Sequence, residues 1–405
     1  MKRVGHLLER IADLENLRHA LHAASQGKRA KADVIAYRAQ AAIHLSRLRD
    51  DLLAGRVPVG GYRQFKVYEP KERVITVAPF GQRVLHHAIM RVCEPVFEQQ
   101  LIDHTYACRK GKGRIAALDV AERFGRSHGY FLKLDIRKYF DSVDHAILKA
   151  QLRRLFKDRA LLALLDGIID SFCVQPGQGL PIGNLTSQHF ANLYLSPLDR
   201  WVSEISGVCG VKYIRYMDDM VVWGRDRERL TEVRARVRAF LREHLALELK
   251  QDRIGTVAQG VPFLGCTVFS GYRVLNARSK RRFRHKLRVF DRLLQAGRIG
   301  EAEAQQRSLA VCAFARSACS YHFRQHVLAP HFRVTAMGET MAPTAASAAA
   351  HGTTTQTTAP SRTGTTTTRT TATTTTASGW PAAQERSWMR PVLPEPAVLQ
   401  SPHRS

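Results

Sequence analysis

Apolar residues recur at helical spacing between residues 5 and 55: Leu7, Leu8, Ile11, Leu14 and Leu17, then Ile35, Ala42, Ile43, Leu45, Leu48, Leu52 and Leu53. That period predicts two amphipathic helices joined by a basic turn, Gln26 to Ala32. From Tyr62 to Val77 the pattern switches to alternation, with Phe65, Val67, Val74, Ile75 and Val77 around a turn at 69–73, which predicts a β-hairpin with a basic tip. Residues 82–102 return to helical spacing, and a basic, glycine-punctuated loop follows at 108–114. Next come a predicted strand at 130–136, helices near 144–171, a loop at 174–184, a helix at 185–206 and a strand-turn-strand at 211–224. A helix at 227–243 and short strands within 247–256 and 262–276 follow. This irregular alternation lacks the even spacing of a doubly wound sheet, so the expected class is α+β.

Residues 278–292 are intensely basic, with a single Asp, while apolar residues at 283, 287, 289, 290, 293 and 294 leave one helix face free for packing. Cations so crowded repel one another unless an anion lies alongside, so a nucleic-acid backbone is expected there rather than a merely solvated face. Past residue 335 the period is lost. Sixteen of the 24 residues from 353 to 376 are Thr, and residues 338–405 are expected to be disordered.

Composition narrows the class further. The 405 residues carry a formal net charge of +27, and residues 1–335 hold 57 of the 62 Lys and Arg against 32 of the 35 Asp and Glu. That field favours a polyanionic partner. No apolar run approaches the roughly 18 residues of a membrane span, and the start is charged and periodic where a secretory signal has an apolar core. A cytoplasmic protein with no membrane partner is expected. Seven Cys form an odd set without a Cys-x-x-Cys pair, so reduced, mostly buried thiols are expected rather than disulfides or a zinc site.

The densest chemistry is Tyr216-Met217-Asp218-Asp219, two adjacent carboxylates at the tip between two apolar β-type runs. An Asp-Asp turn is by itself ordinary. Asp135, however, ends the run at 130–136 and is followed by a bend carrying Tyr139 and Phe140. A carboxylate at a strand end, plus a carboxylate pair on a later hairpin, is the donor set a two-metal phosphoryl-transfer site requires. Hard divalent ions bind carboxylate oxygens, and two ions about 4 Å apart serve the attacking 3′ hydroxyl and the departing pyrophosphate.

In order and spacing, three segments resemble motifs A, B and C of reverse transcriptases: the strand ending in Asp135, the loop and helix from Gln178 to Leu195, and Tyr216-Met217-Asp218-Asp219. The resemblance implies a right-hand polymerase fold, with N-terminal helices and fingers at 1–115, palm at 116–270, thumb at 271–337 and the Thr-rich tail at 338–405. It implies an RNA-directed DNA polymerase in which Asp135, Asp218 and Asp219 are catalytic and ligate two Mg²⁺ ions, Mn²⁺ being the alternative, with the Ile136 carbonyl sharing one ion. Phe140 falls at the family's steric gate against the ribose 2′ hydroxyl; Tyr139 competes for that place, and a core role is the alternative for either. Lys71 and Arg73 resemble the cations that grip the incoming triphosphate, and Lys250 a lysine that protonates pyrophosphate. Residues Val261 to Val268 resemble the primer grip. Lys280, Arg281, Arg282, Arg284, Lys286 and Arg288 would contact nucleic acid.

Finer details resemble the reverse transcriptases of diversity-generating retroelements: the blocks Val67 to Ile75 and Tyr106 to Gly113, and the form Ile182-Gly183-Asn184-Leu185-Thr186-Ser187-Gln188. These bacterial and phage systems copy a template-repeat RNA while misincorporating opposite adenine. The resemblance makes Ile182, Gly183 and Gln188 substrate-site residues, Ile182 being apolar where many retroviral enzymes have Gln. It implies template-repeat RNA, cDNA primer and dNTPs as partners, with a basic, pentameric accessory variability protein. Retron enzymes usually show Val-Thr-Gly in the thumb, which this sequence lacks. A defence or retron-type reverse transcriptase is the alternative, and a non-catalytic RNA-binding palm a distant third. Thr codons read one register away give Asn, so the tail is expected to be an out-of-frame reading of an Asn-rich template repeat, with an ordinary linker as the alternative.

Overall fold

Asp13 divides the first apolar period into α1 (Leu8–Ala12) and α2 (Leu14–Ser25), and caps α2 by accepting from the Glu15 and Asn16 N–H groups. The second period is split at Gln40 into α3 (Ala32–Ala39) and α4 (Ala41–Leu53), so the two expected helices are four. The buried stripe is also narrower than the sequence implied: Leu17, Leu45 and Leu52 are in the core, whereas Ile35, Ile43 and Leu53 are 55%, 68% and 51% exposed. The computed structural model describes residues 2–68 and 72–328. The tail expected to be disordered, 338–405, lies outside the described residues, and so does Lys71.

The predicted hairpin forms from β1 (Arg63–Tyr68) and β2 (Glu72–Val77), antiparallel with Arg63 opposite Val77. It is a two-stranded sheet. Behind it α5 (Phe80–Glu98) packs along α2 with Val84, Leu85, Ala88, Ile89 and Cys93 buried. A helix absent from the sequence reading follows, α6 (Arg114–Ser127), whose buried side is made of Ala117, Leu118, Val120 and Ala121.

The central sheet comprises β3 (Tyr130–Ile136), β4 (Lys212–Tyr216), β5 (Asp219–Gly224) and β6 (Leu249–Thr256), in the order β4-β5-β3-β6. Every neighbouring pair is antiparallel, so the α+β expectation holds. Strand periodicity of two gives the sheet two different faces. Leu132, Leu134, Ile136, Met220, Val222 and Tyr213 join the large core under the helices. Phe131, Ile214, Val221 and Trp223 join a second core shared with α6 and the C-terminal elements.

Helices carry the chain between these strands. The predicted 144–171 stretch is α7 (His145–Leu155) and α8 (Arg159–Asp170), separated at Asp158. Asp158 caps α8 and also accepts from the Leu7 and Leu8 N–H groups, which ties the N-terminal layer to it. Burial pushes the Asp158 carboxyl up, but these N–H donors together hold it below its ordinary value. The predicted helix at 185–206 is α9 (Leu185–Tyr194) and α10 (Ser196–Cys209), with Pro197 in the first turn of the second. After α11 (Arg227–Leu245) and β6, a small antiparallel sheet is built from β7 (Val261–Phe263), β8 (Cys266–Val268) and β9 (Arg273–Leu275). The basic stretch is α12 (Ala277–Gln295), followed by α13 (Glu301–Arg316) and α14 (Tyr321–Leu328).

None of the seven Cys is joined in a disulfide, and four of them are buried. Among the described residues no helix is long and apolar enough to cross a membrane.

His86 on α5 supplies a pH test of this fold. It is buried, its Nδ1 has no hydrogen-bond partner, and burial with the neighbouring His87 pushes its pKa down to about 4 from 6.5. The unfolded chain therefore takes up the proton first, so stability present above pH 6.5 is lost as pH falls toward 4. Between pH 7.5 and 5 the His86 share of that loss is about 2 kcal/mol. His86→Leu should flatten the pH dependence of the urea midpoint over this range, and an unchanged slope would contradict the assignment.

Candidate active site

The antiparallel register of β3 and β5 places Asp135 directly opposite Asp219. On the other side of β5, Tyr216 pairs with Asp219, so Met217 and Asp218 form a two-residue loop. Met217 holds that loop at φ 58, a left-handed conformation that a side chain resists. Two carboxylates from distant segments are thus fixed across one strand pair, with Asp218 half-buried at the adjoining turn.

The turn is held from beneath. Arg215 and Asp199 of α10 form an ion pair in which both side chains are 0% exposed. Arg215 Nε and Nη2 donate to the two Asp199 oxygens, Nη1 to Asn192 Oδ1 and the Met217 carbonyl, and Nη2 also to the Asn192 carbonyl. Asp199 accepts in addition from Tyr213 and Thr105. Burial alone would lower the Arg215 pKa, but the Asp199 carboxylate outweighs it and holds the guanidinium charged.

Two lysines flank the carboxylates. Lys133, two residues before Asp135, shares its face of β3; its Nζ is in ion-pair contact with Asp219 Oδ1, is closed off from solvent, and lies 5.1 Å from the centre of the Phe263 ring. Neither Nζ nor that Asp219 oxygen makes a hydrogen bond. Burial pushes the Lys133 pKa down to about 7, against the pull of Asp135 and Asp218. Lys250 sits on β6 where the register slips between Asp135 and Ile136, so that Gln251 faces Asp135 and Leu249 faces Ile136. The extra residue of this β-bulge is turned toward the site, with Nζ 3.8 Å from Asp135 Oδ2.

The acids gathered here, Asp135, Asp218 and Asp219, offer only carboxylate oxygens, which fit a hard divalent cation rather than a soft one. Among the described residues, however, no three Asp, Glu, His or Cys side chains gather as a ready-made metal group. Asp219 is engaged by the Lys133 ammonium.

The two aromatic candidates separate clearly. Tyr139 is 3% exposed, in the core, and donates to the Ala191 carbonyl. Phe140 is half-exposed, packed against the main core, with its carbonyl accepting from Leu180 N–H. Ile182 accepts at its carbonyl from Thr76 N–H at 2.8 Å, which staples this loop to β2. Gly183 follows at φ 118, where a Cβ would meet Ile75 Cγ2 at 3.0 Å and the Thr76 carbonyl oxygen at 3.2 Å, so only glycine fits. Gln188, half-buried on α9, accepts from the Cys108 thiol. Arg73 lies on β2 opposite Val67.

On α12, Phe283 and Leu287 are buried, and Arg281, Arg282, Arg284 and Arg288 are exposed. Lys280 and Arg284 stand over the Phe323 ring, while Lys286 is half-buried. In the 108–114 loop the cations are engaged within the protein: Arg109 with Glu98, Lys110 with Glu94 and Lys112 with Asp103. Arg114 donates to the Leu264 carbonyl, Ser317 and Cys266 and lies over Phe314. Sequence reasoning passed over Lys133 and Arg215. The available signal was a charged residue inside each apolar β-run.

Residues 66–268 match the family described as reverse transcriptase (RNA-dependent DNA polymerase), half of the chain, and the chain belongs to that family. It is similar to protein YkfC of Escherichia coli (strain K12), 26% identical over 293 residues, covering 60% of this chain and 74% of YkfC. A protein assigned to COX1/OXI3 intron 1 of Saccharomyces cerevisiae is 24% identical over 172 residues, 40% of this chain. Group II intron-encoded protein LtrA of Lactococcus lactis subsp. cremoris is 24% identical over 141 residues, 33% of this chain. The chain spans only 20% and 24% of the lengths of these two. Among solved structures, telomerase from Candida Tropicalis matches with a TM-score of 0.41 at 10% identity, over 68% of this chain and 55% of that one.

Because Arg215 has no water to turn to, Asp199→Asn should leave a buried charge uncompensated and cost about 3–5 kcal/mol in urea unfolding. A loss under about 1 kcal/mol, the scale of an ordinary surface pair, would show that the ion pair is dispensable.

Proposed function

We propose that this chain is an RNA-directed DNA polymerase that extends a DNA 3′ end on an RNA template. The observation that carries the reading is the register pairing Asp135 with Asp219 beside the Asp218 turn, within a segment of the reverse transcriptase family. Asp135 and Asp218 would hold Mg²⁺, with the Ile136 carbonyl as a further oxygen donor. Bound there, the metal supplies Lewis-acid activation of a hydroxyl and counter-charge for a triphosphate.

The chain's own groups do the rest. Phe140, half-exposed where Tyr139 is buried, excludes the ribose 2′ hydroxyl by bulk. Lys250, solvent-accessible and close to Asp135, is placed to give a proton to departing pyrophosphate. Lys71 and Arg73 bring cations to the triphosphate from the β1–β2 hairpin. Ile182, Gly183 and Gln188 border the nascent base pair, and the exposed cations of α12 bind backbone phosphates. In this reading residues 1–115 form the N-terminal helices and fingers, 116–270 the palm and 271–337 the thumb.

Asp135→Asn or Asp218→Asn should lower Mg²⁺-dependent primer extension on an RNA template by about 10³-fold, several kcal/mol of lost charge stabilisation. Near-normal extension by a folded variant would sink the site. Phe140→Ala should raise the ratio of ribonucleotide to deoxynucleotide incorporation about tenfold or more, in kcat/KM, whereas Tyr139→Phe should leave it unaltered. Equal effects of the two would remove Phe140 as the gate.

Within the family we assign the chain to a diversity-generating retroelement, supported by the Val67 to Ile75 and Ile182 to Gln188 forms. Its template would be a template-repeat RNA and its partner a basic accessory variability protein. Sequencing cDNA made from the cognate RNA with that partner should find errors concentrated at template adenines. Errors spread evenly over four bases would favour a defence or retron-type enzyme instead.

A further inference from the structure

We propose that Lys133 is a resident counter-cation that holds Asp219 out of the metal-ligand set, so that divalent ions are bound by Asp135 and Asp218 alone among the three carboxylates. The inference rests on the polymerase reading of this site and sets aside Asp219, which the family resemblance makes a ligand.

Position comes first. Lys133 and Asp135 are two apart on β3 and therefore share a face. Lys133 is opposite Val221 and Asp135 opposite Asp219, so Lys133 is the diagonal neighbour of Asp219, within reach of a long side chain. Its Nζ ends in contact with Asp219 Oδ1. Around it the Val221 side chain and the Phe263 ring are apolar and solvent is excluded, and the only other charges pulling on it among the described residues are Asp135 and Asp218. Neither atom of the pair has a hydrogen bond to fall back on.

Turning Asp219 over to an ion would take the contacting acid away from a buried ammonium and set it facing a dication, while ions on Asp135 and Asp218 screen its other two acids, penalties with one sign. Asp135 is not bound in this way. Its carboxylate is 38% exposed, and the lysine near it, Lys250, is 51% exposed and 3.8 Å away, free to leave into water.

The test counts bound Mn²⁺ by electron paramagnetic resonance on the full chain with primer-template and a non-hydrolysable deoxynucleotide. Lys133→Met should free Asp219 and tighten Mn²⁺ binding about tenfold, the order expected for removing one nearby cation. The double variant Lys133→Met with Asp219→Asn should return to within about threefold of the unsubstituted chain. If Asp219 is a ligand, that double variant loses tenfold or more, and the proposal is overturned. Lys133→Gln repeats the test should the Met variants fail to fold, and unchanged affinity in a folded single Lys133 variant also overturns it. Asp135→Asn and Asp218→Asn serve as the separate control: if both leave Mn²⁺ bound as before, the polymerase site itself is misassigned, whatever the Lys133 variants do.

Discussion

The buried pair of Arg215 and Asp199 is the interaction on which the site depends. A guanidinium offers five donors in a fixed plane. Here they are spent on Asp199 of α10, on both oxygens of Asn192 in α9, and on the Met217 carbonyl in the turn. Three elements and the carboxylate turn are thereby fixed to one planar group that has no access to water. The left-handed Met217 is a strained residue of the kind that persists only when its surroundings determine it. Arg215 is that determination. Without it, the hairpin could still pair, but the turn carrying Asp218 would lose this tie to α9 and α10.

Charge is used in two ways in this molecule. Much of the basic excess is already paired: Arg109, Lys110 and Lys112 with nearby acids, and Arg273 with Asp119 and Glu122. What faces solvent as an unbroken set lies on α12, where Phe283 and Leu287 turn inward and the guanidinium groups of Arg281, Arg282 and Arg288 outward. A net charge attracts a polyanion from a distance, but only cations still exposed can meet its phosphates. The contact region is accordingly smaller than the composition alone suggests.

The same distinction explains what the sequence made legible. The strand at Asp135 and the hairpin at Asp218 and Asp219 were readable because period-two apolar runs flank them, and the family resemblance fixed their order. The breaks at Asp13, Gln40 and Leu195 were not, since the apolar period runs on across each. Helix α6 escaped because Ala117, Ala121 and Gly125 on its core side are too small to mark a stripe beside Leu118 and Val120. Lys133 reads as the polar member of an alternating strand, and is shut off from solvent only because the residues packed over that face include Phe263 of β7, 130 residues later. The pairing of the loop cations at 109–112 is not legible because their acid partners, Glu94, Glu98 and Asp103, lie in an earlier segment whose placement only the fold decides.

The two lysines at the carboxylates differ through backbone geometry rather than chemistry. Lys133 is in register on a central strand, so its direction is set by the sheet and its end is enclosed. Lys250 is the unpaired residue of a bulge, and regular pairing would have sent it to the opposite face with Ile136. A single inserted residue therefore turns a surface lysine toward the site while leaving it half in water. An enclosed ammonium stays where the sheet sets it, because moving it costs its desolvated charge. A half-solvated one can approach and retreat without that cost. One β-bulge thus gives two identical side chains, converging on the same cluster of acids, opposite mobility.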